Sequence, residues 1–401
     1  MMPEKVVIVG AGQAGLQTAE SLRALGFEGL ITLLGDERYG PYHRPPLSKA
    51  WLSGEATGEQ LSMRSPDALA RKSIELRTGV EVSSINIKNR ALRLVDGSEL
   101  KYDALVLATG AKPRPLDVPG ANSTGVLSLR TLDDAKAIAQ RMAYCAERNL
   151  PVVIVGGGFI GLEVAATARK KGFEVIVLEA APRLLGRVLA PFVSEWFAEL
   201  HQSRGVKLVL NARVGAIETD ANKQVCAVRL QDGTALQAGM VIVGIGVQAN
   251  DGLARSSGLS CDQGIIVDEC SRTSDPHVFA AGDCTARRGG NGTLMRLESV
   301  QNATEQGRCA AAAVMGKESP FKAVPWFWSD QYEFKLQIAG LSAGANRWEI
   351  HGEAESGSFS VYHYLDDRLL AVDSVNATRE HLLIRKRLEE ESKQALFTYA
   401  S

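Results

Sequence analysis

The chain has 401 residues, enough at about 100 to 200 residues per domain for two to four domains that each bury a core. Its 45 Lys and Arg against 46 Asp and Glu leave a formal net charge of −1, so no overall field draws it to nucleic acid or to an anionic membrane, and a charged partner needs a local patch. With 45% hydrophobic residues, 39 glycines and no apolar run near the roughly 18 residues of a membrane span, the composition excludes a disordered chain or a helical membrane span and predicts a cytoplasmic globular protein rich in glycine turns.

Residues 6–9 form an apolar run of strand length that meets Gly10, Gly12, Ala14 and Gly15. The spacing then turns helical as far as Leu25, Gly26 follows, and a second apolar run fills residues 30–34. Strand, glycine turn, helix and strand in this order predict a βαβ unit. In G-x-G-x-x-G the first glycine makes the tight turn, the second lets backbone N–H groups approach a pyrophosphate, and the third lets the helix pack on the strand. Asp36 and Glu37, after the second strand, are the candidate ribose carboxylates. Runs at residues 91–95 and 104–108 predict further strands, and Pro113, Pro115 and Pro119 a crossover linker.

The first pattern returns at residues 152–155, which lead into Gly156, Gly158, Ile160 and Gly161. A helical stretch runs to Lys171, and a strand at residues 175–178 ends on Glu179. A carboxylate there hydrogen-bonds ribose hydroxyls and repels a 2′-phosphate, which favours NADH over NADPH, although Arg183 lies four residues on and could accommodate a phosphate. Two dinucleotide sites in one chain suggest a nicotinamide donor and a resident flavin. Residues 226–230 and 240–245 predict strands, with Gly244 and Gly246 marking the return. From about Phe321 aromatic and alternating residues predict a small α+β domain, closed by a charged helix at residues 377–394 with a solvated face. The six cysteines have no C-x-x-C or metal-type spacing, and none lies within residues 39–52.

Several segments are more specific than the glycine turns: Pro45-Pro46-Leu47-Ser48-Lys49, Leu107-Ala108-Thr109-Gly110, Ala281-Gly282-Asp283-Cys284, Glu298 to Ala303, and Pro325-Trp326-Phe327-Trp328. With these motifs in order over nearly its whole length, the chain resembles the FAD-dependent ferredoxin reductases of bacterial oxygenase systems, a group of glutathione-reductase-like flavoproteins. The resemblance implies an α/β fold of two doubly wound, Rossmann-like dinucleotide-binding domains plus a small α+β C-terminal domain. The boundaries expected are 1–111 with 245–320 for FAD, 112–244 for NADH and 321–401 for the C-terminal domain.

It also implies roles. Gly10, Gly12, Ala14, Gly15, Asp36, Lys49, Val82, Arg130, Asp283, Val300 and Trp326 would contact FAD. Gly156, Gly158, Ile160, Gly161, Glu179 and Gly246 would take NADH. Lys49 and Glu163 would serve catalysis, Lys49 beside the flavin and Glu163 close to the nicotinamide. The activity implied is NADH:ferredoxin oxidoreductase: NADH gives two electrons as a hydride, a 2Fe-2S ferredoxin takes one, and a flavin connects the two. The absence of a thiol at residues 39–52 sets the chain apart from disulfide reductases, so electrons leave for an external acceptor. An acidic ferredoxin would need a local basic patch, for which Arg64, Arg71, Lys72, Arg287, Arg288, Arg296, Arg308 and Lys335 are candidates. No nucleic acid, membrane or metal is expected. Two other readings stay open: a reductase of rubredoxin, quinone or oxygen, and an NADH-responsive redox sensor. Ala249 departs from the Pro that these reductases commonly carry at that place.

Overall fold

The computed structural model describes residues 2–288 and 292–398. Its contacts divide the chain into two units, Met1–His43 with Glu59–Lys112 and Val247–Ala323, and Arg44–Gly58 with Pro113–Gly246 and Val324–Ser401.

The first unit is built on a five-stranded parallel sheet in the order Val278–Ala280, Ala104–Leu107, Lys5–Val9, Leu30–Leu34, Ile74–Arg77. The central strands are continuous apolar runs because both faces of the sheet are covered. Alternate side chains serve opposite cores. Val6 and Ile8 join Leu16, Leu22 and Ala310 from the helices Gln13–Ala24 and Val300–Val314, whereas Val7 and Val9 join Ile85, Leu92 and Leu94 from an antiparallel sheet on the other face.

The second unit repeats the plan with a parallel sheet in the order Val206–Leu210, Val175–Glu179, Val152–Val155, Met240–Val243, Val126–Leu127. It also holds a five-stranded antiparallel sheet, Trp326–Gln331, Phe334–Gly340, Arg368–Val375, Ser358–Leu365, Arg347–Glu353. The fold class is therefore the expected one. The final helix, Thr378–Thr398, pairs a solvated face with a buried stripe that was not expected: His381, Ile384 and Leu388 are buried, and the last two pack on Val372 and Tyr362 of the sheet. Its apolar stripe is narrow, and the surrounding charge conceals the helical period in the sequence. Among the described residues no helix is long and apolar enough to cross a membrane.

Candidate functional site

In the first glycine turn, Gly10 has φ +111°, and a Cβ there would lie 2.1 Å from the Ala108 carbonyl oxygen. A Cβ on Gly15 would lie 1.9 Å from the Gly10 oxygen, so neither position accepts a side chain. Gly12 is different. It caps the helix Gln13–Ala24 with no side-chain bond to the free amides, and no atom lies within 4 Å of where its Cβ would be. Open space in front of unsatisfied helical N–H groups fits an anion such as a pyrophosphate.

Of the rest of the expected flavin set within this unit, Asp283 and Val300 lie on segments that meet that helix. Gln13 donates to Thr304 Oγ1 at 3.0 Å, which ties the turn to the first coil of the helix that starts at Val300. Gln306 Oε1, on the same helix, accepts the Gly282 amide at 2.7 Å and so fixes the loop carrying Asp283. Arg296 Nε, Gln301 Oε1 and Asn302 Oδ1 are buried in this unit with no hydrogen-bond partner among the described residues. Unmet polar atoms are costly unless a ligand meets them, so this set also fits a polar cofactor such as FAD. Of the two carboxylates after the second strand, Glu37 accepts from Tyr42 at 2.5 Å, whereas Asp36 is exposed. Val82 is a core residue on the sheet's second face.

The second turn repeats the geometry. Gly156 has φ +110° and a Cβ there would meet the Gly244 oxygen at 2.4 Å, while Gly158 caps the helix Phe159–Lys170 without a side-chain bond. Ala14 is buried in its helix, but the equivalent Ile160 is 40% exposed. Glu179 Oε2 accepts the Gly157 amide at 2.7 Å and Oε1 the Ala181 amide at 2.7 Å, which holds the carboxylate beside the turn. Arg183 is committed elsewhere: it donates to the Leu189 and Gly186 carbonyls at 2.7 Å each and to Ser194 Oγ at 2.8 Å. Those bonds hold its own loop and oppose use of the side chain for a 2′-phosphate. Gly246, at φ +99°, accepts the Arg114 amide at 2.9 Å.

Lys49 follows the short 3-10 turn Pro45–Ser48, and its Nζ lies 2.9 Å from Glu163 Oε2. Glu163 is 5% exposed on the helix Phe159–Lys170 and accepts from three donors on two other segments of chain, the Pro45–Ser48 turn with Lys49 and the strand Trp326–Gln331. Ser48 Oγ donates to Oε2 at 2.5 Å and Ser329 Oγ to Oε1 at 2.7 Å, and Thr167 fixes the Ser48 carbonyl at 2.8 Å. A buried charge held by an ammonium and two hydroxyls is satisfied, and removing one partner is costly. Arg130 approaches the same turn through its carbonyl, which accepts from Arg44 at 2.8 Å. Trp326 lies 5.5 Å from Trp328, and Phe327 lies 4.7 Å from Phe159 at the start of the Glu163 helix. Sequence reasoning missed Ser48, inside the Pro-Pro-Leu-Ser-Lys motif, and Ser329, the residue after Pro-Trp-Phe-Trp, because a serine hydroxyl has no spacing signature of its own.

All six cysteines are free. Cys284 is fully enclosed, bonded to the Leu107 and Ala281 carbonyls, and burial pushes its thiol up, so it is not a nucleophile. No cluster of metal-ligating side chains occurs among the described residues. Of the candidate docking residues, Arg64 and Lys72 share Glu20 at 2.9 and 2.6 Å, Arg308 pairs with Glu305 at 2.6 Å, and Arg296 with Glu298 at 2.7 Å. Arg287 lies over Phe321 at 3.8 Å, while Arg71, Arg288 and Lys335 are exposed.

Residues 4–307 match the family described as pyridine nucleotide-disulphide oxidoreductase, and residues 326–396 the domain described as reductase C-terminal. The chain is 46% identical over 387 residues to rhodocoxin reductase of Rhodococcus erythropolis, covering 96% of this chain and 90% of that protein. It is also 46% identical over 378 residues to putidaredoxin reductase of Pseudomonas putida, covering 93% and 89%. Among solved structures, the reductase in a covalent putidaredoxin reductase–putidaredoxin complex superposes with a TM-score of 0.91 at 43% identity, covering 97% of this chain and 94% of that one.

Proposed function

The chain belongs to the pyridine nucleotide-disulphide oxidoreductase family, and we infer that it is an NADH:ferredoxin oxidoreductase with bound FAD that supplies an oxygenase, either a Rieske dioxygenase or a cytochrome P450, through a 2Fe-2S ferredoxin. The observation that carries this reading is the pairing of two glycine turns, each opening on an uncapped helix N-terminus, with a chain whose cysteines are all free. Bound FAD supplies the two-electron to one-electron conversion that joins NADH to such a carrier.

The residues of this chain bind and orient. Gly10, Gly12 and Gly15 admit the FAD pyrophosphate to backbone amides, Asp36 takes the adenosine end, and Asp283, Val300, Val82, Arg130 and Trp326 hold the remainder. Gly156, Gly158 and Gly161 do the same for NADH, with Ile160 and Gly246 bordering it. Glu179 takes the ribose hydroxyls and selects NADH over NADPH. Lys49, held by Glu163, places a positive charge where negative charge develops during hydride transfer. Residues 1–111 with 245–320, 112–244 and 321–401 form the FAD, NADH and C-terminal domains. Arg64, Arg287, Arg288 and Arg308 steer an acidic ferredoxin. Work in the cytoplasm agrees with free thiols.

The test is anaerobic NADH titration of the FAD-loaded protein, followed by NADH-dependent cytochrome c reduction with and without a 2Fe-2S ferredoxin. Bleaching by one equivalent of NADH and a ferredoxin-dependent rate are expected. A rate indifferent to ferredoxin overturns the assignment.

A further inference from the structure

Outside the residues assigned above, one polar set is fully enclosed and continuous with Glu163. His201, on the helix Pro191–Ser203, and Ser329 and Gln331, on the strand Trp326–Gln331, are all 0% exposed. The directions of their hydrogen bonds follow from what each group can do. The Glu163 carboxylate accepts, so the one proton of Ser329 Oγ goes to Oε1, 2.7 Å away. The Ser329 lone pair is then met by Gln331 Nε2 at 3.2 Å. That turns Gln331 Oε1 to His201 Nε2 at 2.8 Å, and because an amide oxygen has no proton to give, Nε2 carries the hydrogen. Burial pushes the imidazole below its ordinary value, so the ring is neutral and its Nδ1 accepts, 3.4 Å from the Tyr332 hydroxyl.

Four donors therefore point one way, from Tyr332 through His201, Gln331 and Ser329 to Glu163. The amide of Gln331 makes this a clamp and not a proton wire, since an amide passes no proton without tautomerising. The outer end is held at a cost: Tyr332 turns between two strands at φ 58°, in the left-handed region that favours glycine.

We propose that Gln331 and His201 are positioning residues for the Lys49–Glu163 pair: they commit Glu163 Oε1 to Ser329, so that Oε2 faces Lys49 and the ammonium is presented in one place. The inference rests on the role proposed above for that pair. Loosening the clamp leaves NADH binding intact and spreads Lys49 over several positions during hydride transfer.

The test uses the protein with and without FAD. In FAD-free protein, long-range 1H–15N NMR is expected to show His201 as the Nε2–H tautomer, and Gln331→Met to shift the ring toward Nδ1–H. In FAD-loaded protein, Gln331→Met and His201→Phe are expected to slow flavin reduction by NADH about tenfold, with NADH affinity kept within about twofold. His201→Gln, which restores an N–H donor, is expected to recover most of the rate. Ser329→Ala takes the place of Gln331→Met should that variant not fold. Wild-type rates in Gln331→Met and His201→Phe, when Glu163→Gln is slow, overturn the positioning role. An Nδ1–H tautomer in the wild type overturns the clamp. A Glu163→Gln variant as fast as wild type removes the role of the pair itself, and the inference with it.

Discussion

Ser329 donates its hydroxyl to Glu163 Oε1 at 2.7 Å across 166 residues of sequence, while Lys49 holds the other carboxylate oxygen at 2.9 Å. The contacts join the aromatic strand, the helix of the second nucleotide unit and the Pro-Pro-Leu-Ser-Lys turn on a single side chain, which makes Lys49 and Glu163 one unit.

Groups that act as one unit are not additive. Lys49→Met and Glu163→Gln should each lower the rate of flavin reduction by NADH about tenfold to a hundredfold, and the double variant should be little slower than the worse single one. Stopped-flow flavin bleaching checks this, and multiplied losses in the double variant would separate the two residues.

The first glycine turn predicts two different failures. Gly10→Ala drives a Cβ against the Ala108 carbonyl at a positive φ and should destabilise the protein by about 3 kcal/mol or more. At Gly12 an added Cβ meets nothing in the protein. Gly12→Ala should leave the melting temperature of FAD-free protein unchanged and weaken FAD binding at least about tenfold, about 1.4 kcal/mol. Melting curves with and without FAD distinguish the cases.

Glu179 is tied to the Gly157 amide, and Arg183 is occupied by its own loop. Glu179→Ser should therefore raise KM for NADH and lower the NADH-to-NADPH ratio of kcat/KM about tenfold or more. Arg183→Gln should leave that ratio alone and lower stability. Steady-state kinetics with both nucleotides, beside a denaturant melt, decide it.

His381 is buried with neither ring nitrogen bonded among the described residues, and burial, then Arg385 and Lys335, push it down to about 4 from its ordinary 6.5. Because the unfolded chain takes the proton first, the neutral ring's stabilisation is complete above pH 6.5 and is lost as pH falls toward 4. The difference corresponds to about 3 kcal/mol. Urea melts should show this loss, with His201 adding a change of the same sign. His381→Leu should flatten the slope, and an unchanged slope would assign the loss to other groups.

Arg64 shares Glu20 with Lys72, so the local field at that place depends on the partner as well as on the arginine. At low salt Arg64→Gln should slow ferredoxin reduction several-fold and Glu20→Gln should accelerate it. Both effects should fade toward about 0.5 M salt, where the Debye length falls to a few ångströms. Rates measured across ionic strength test the pair, and equal salt slopes in all three proteins would place docking elsewhere.

The glycine turns, the strands that feed them and the position of Glu179 were legible in the sequence by itself. Each rests on contacts between near neighbours: a positive φ at Gly10, an apolar run covered on both faces, a carboxylate one strand after the turn. Lys49 was singled out differently, by the resemblance that the Pro-Pro-Leu-Ser-Lys motif carries. The tertiary structure alone decided that Arg183 serves its own loop, that the charged final helix buries His381, Ile384 and Leu388, and that Ser48, Ser329, Gln331 and His201 converge on Glu163. Hydroxyls, amides and imidazoles bond with many partners, and those partners lie up to 166 residues apart. Packing, which brings distant segments together and removes water as a competing partner, selects one arrangement from many that the sequence alone permits.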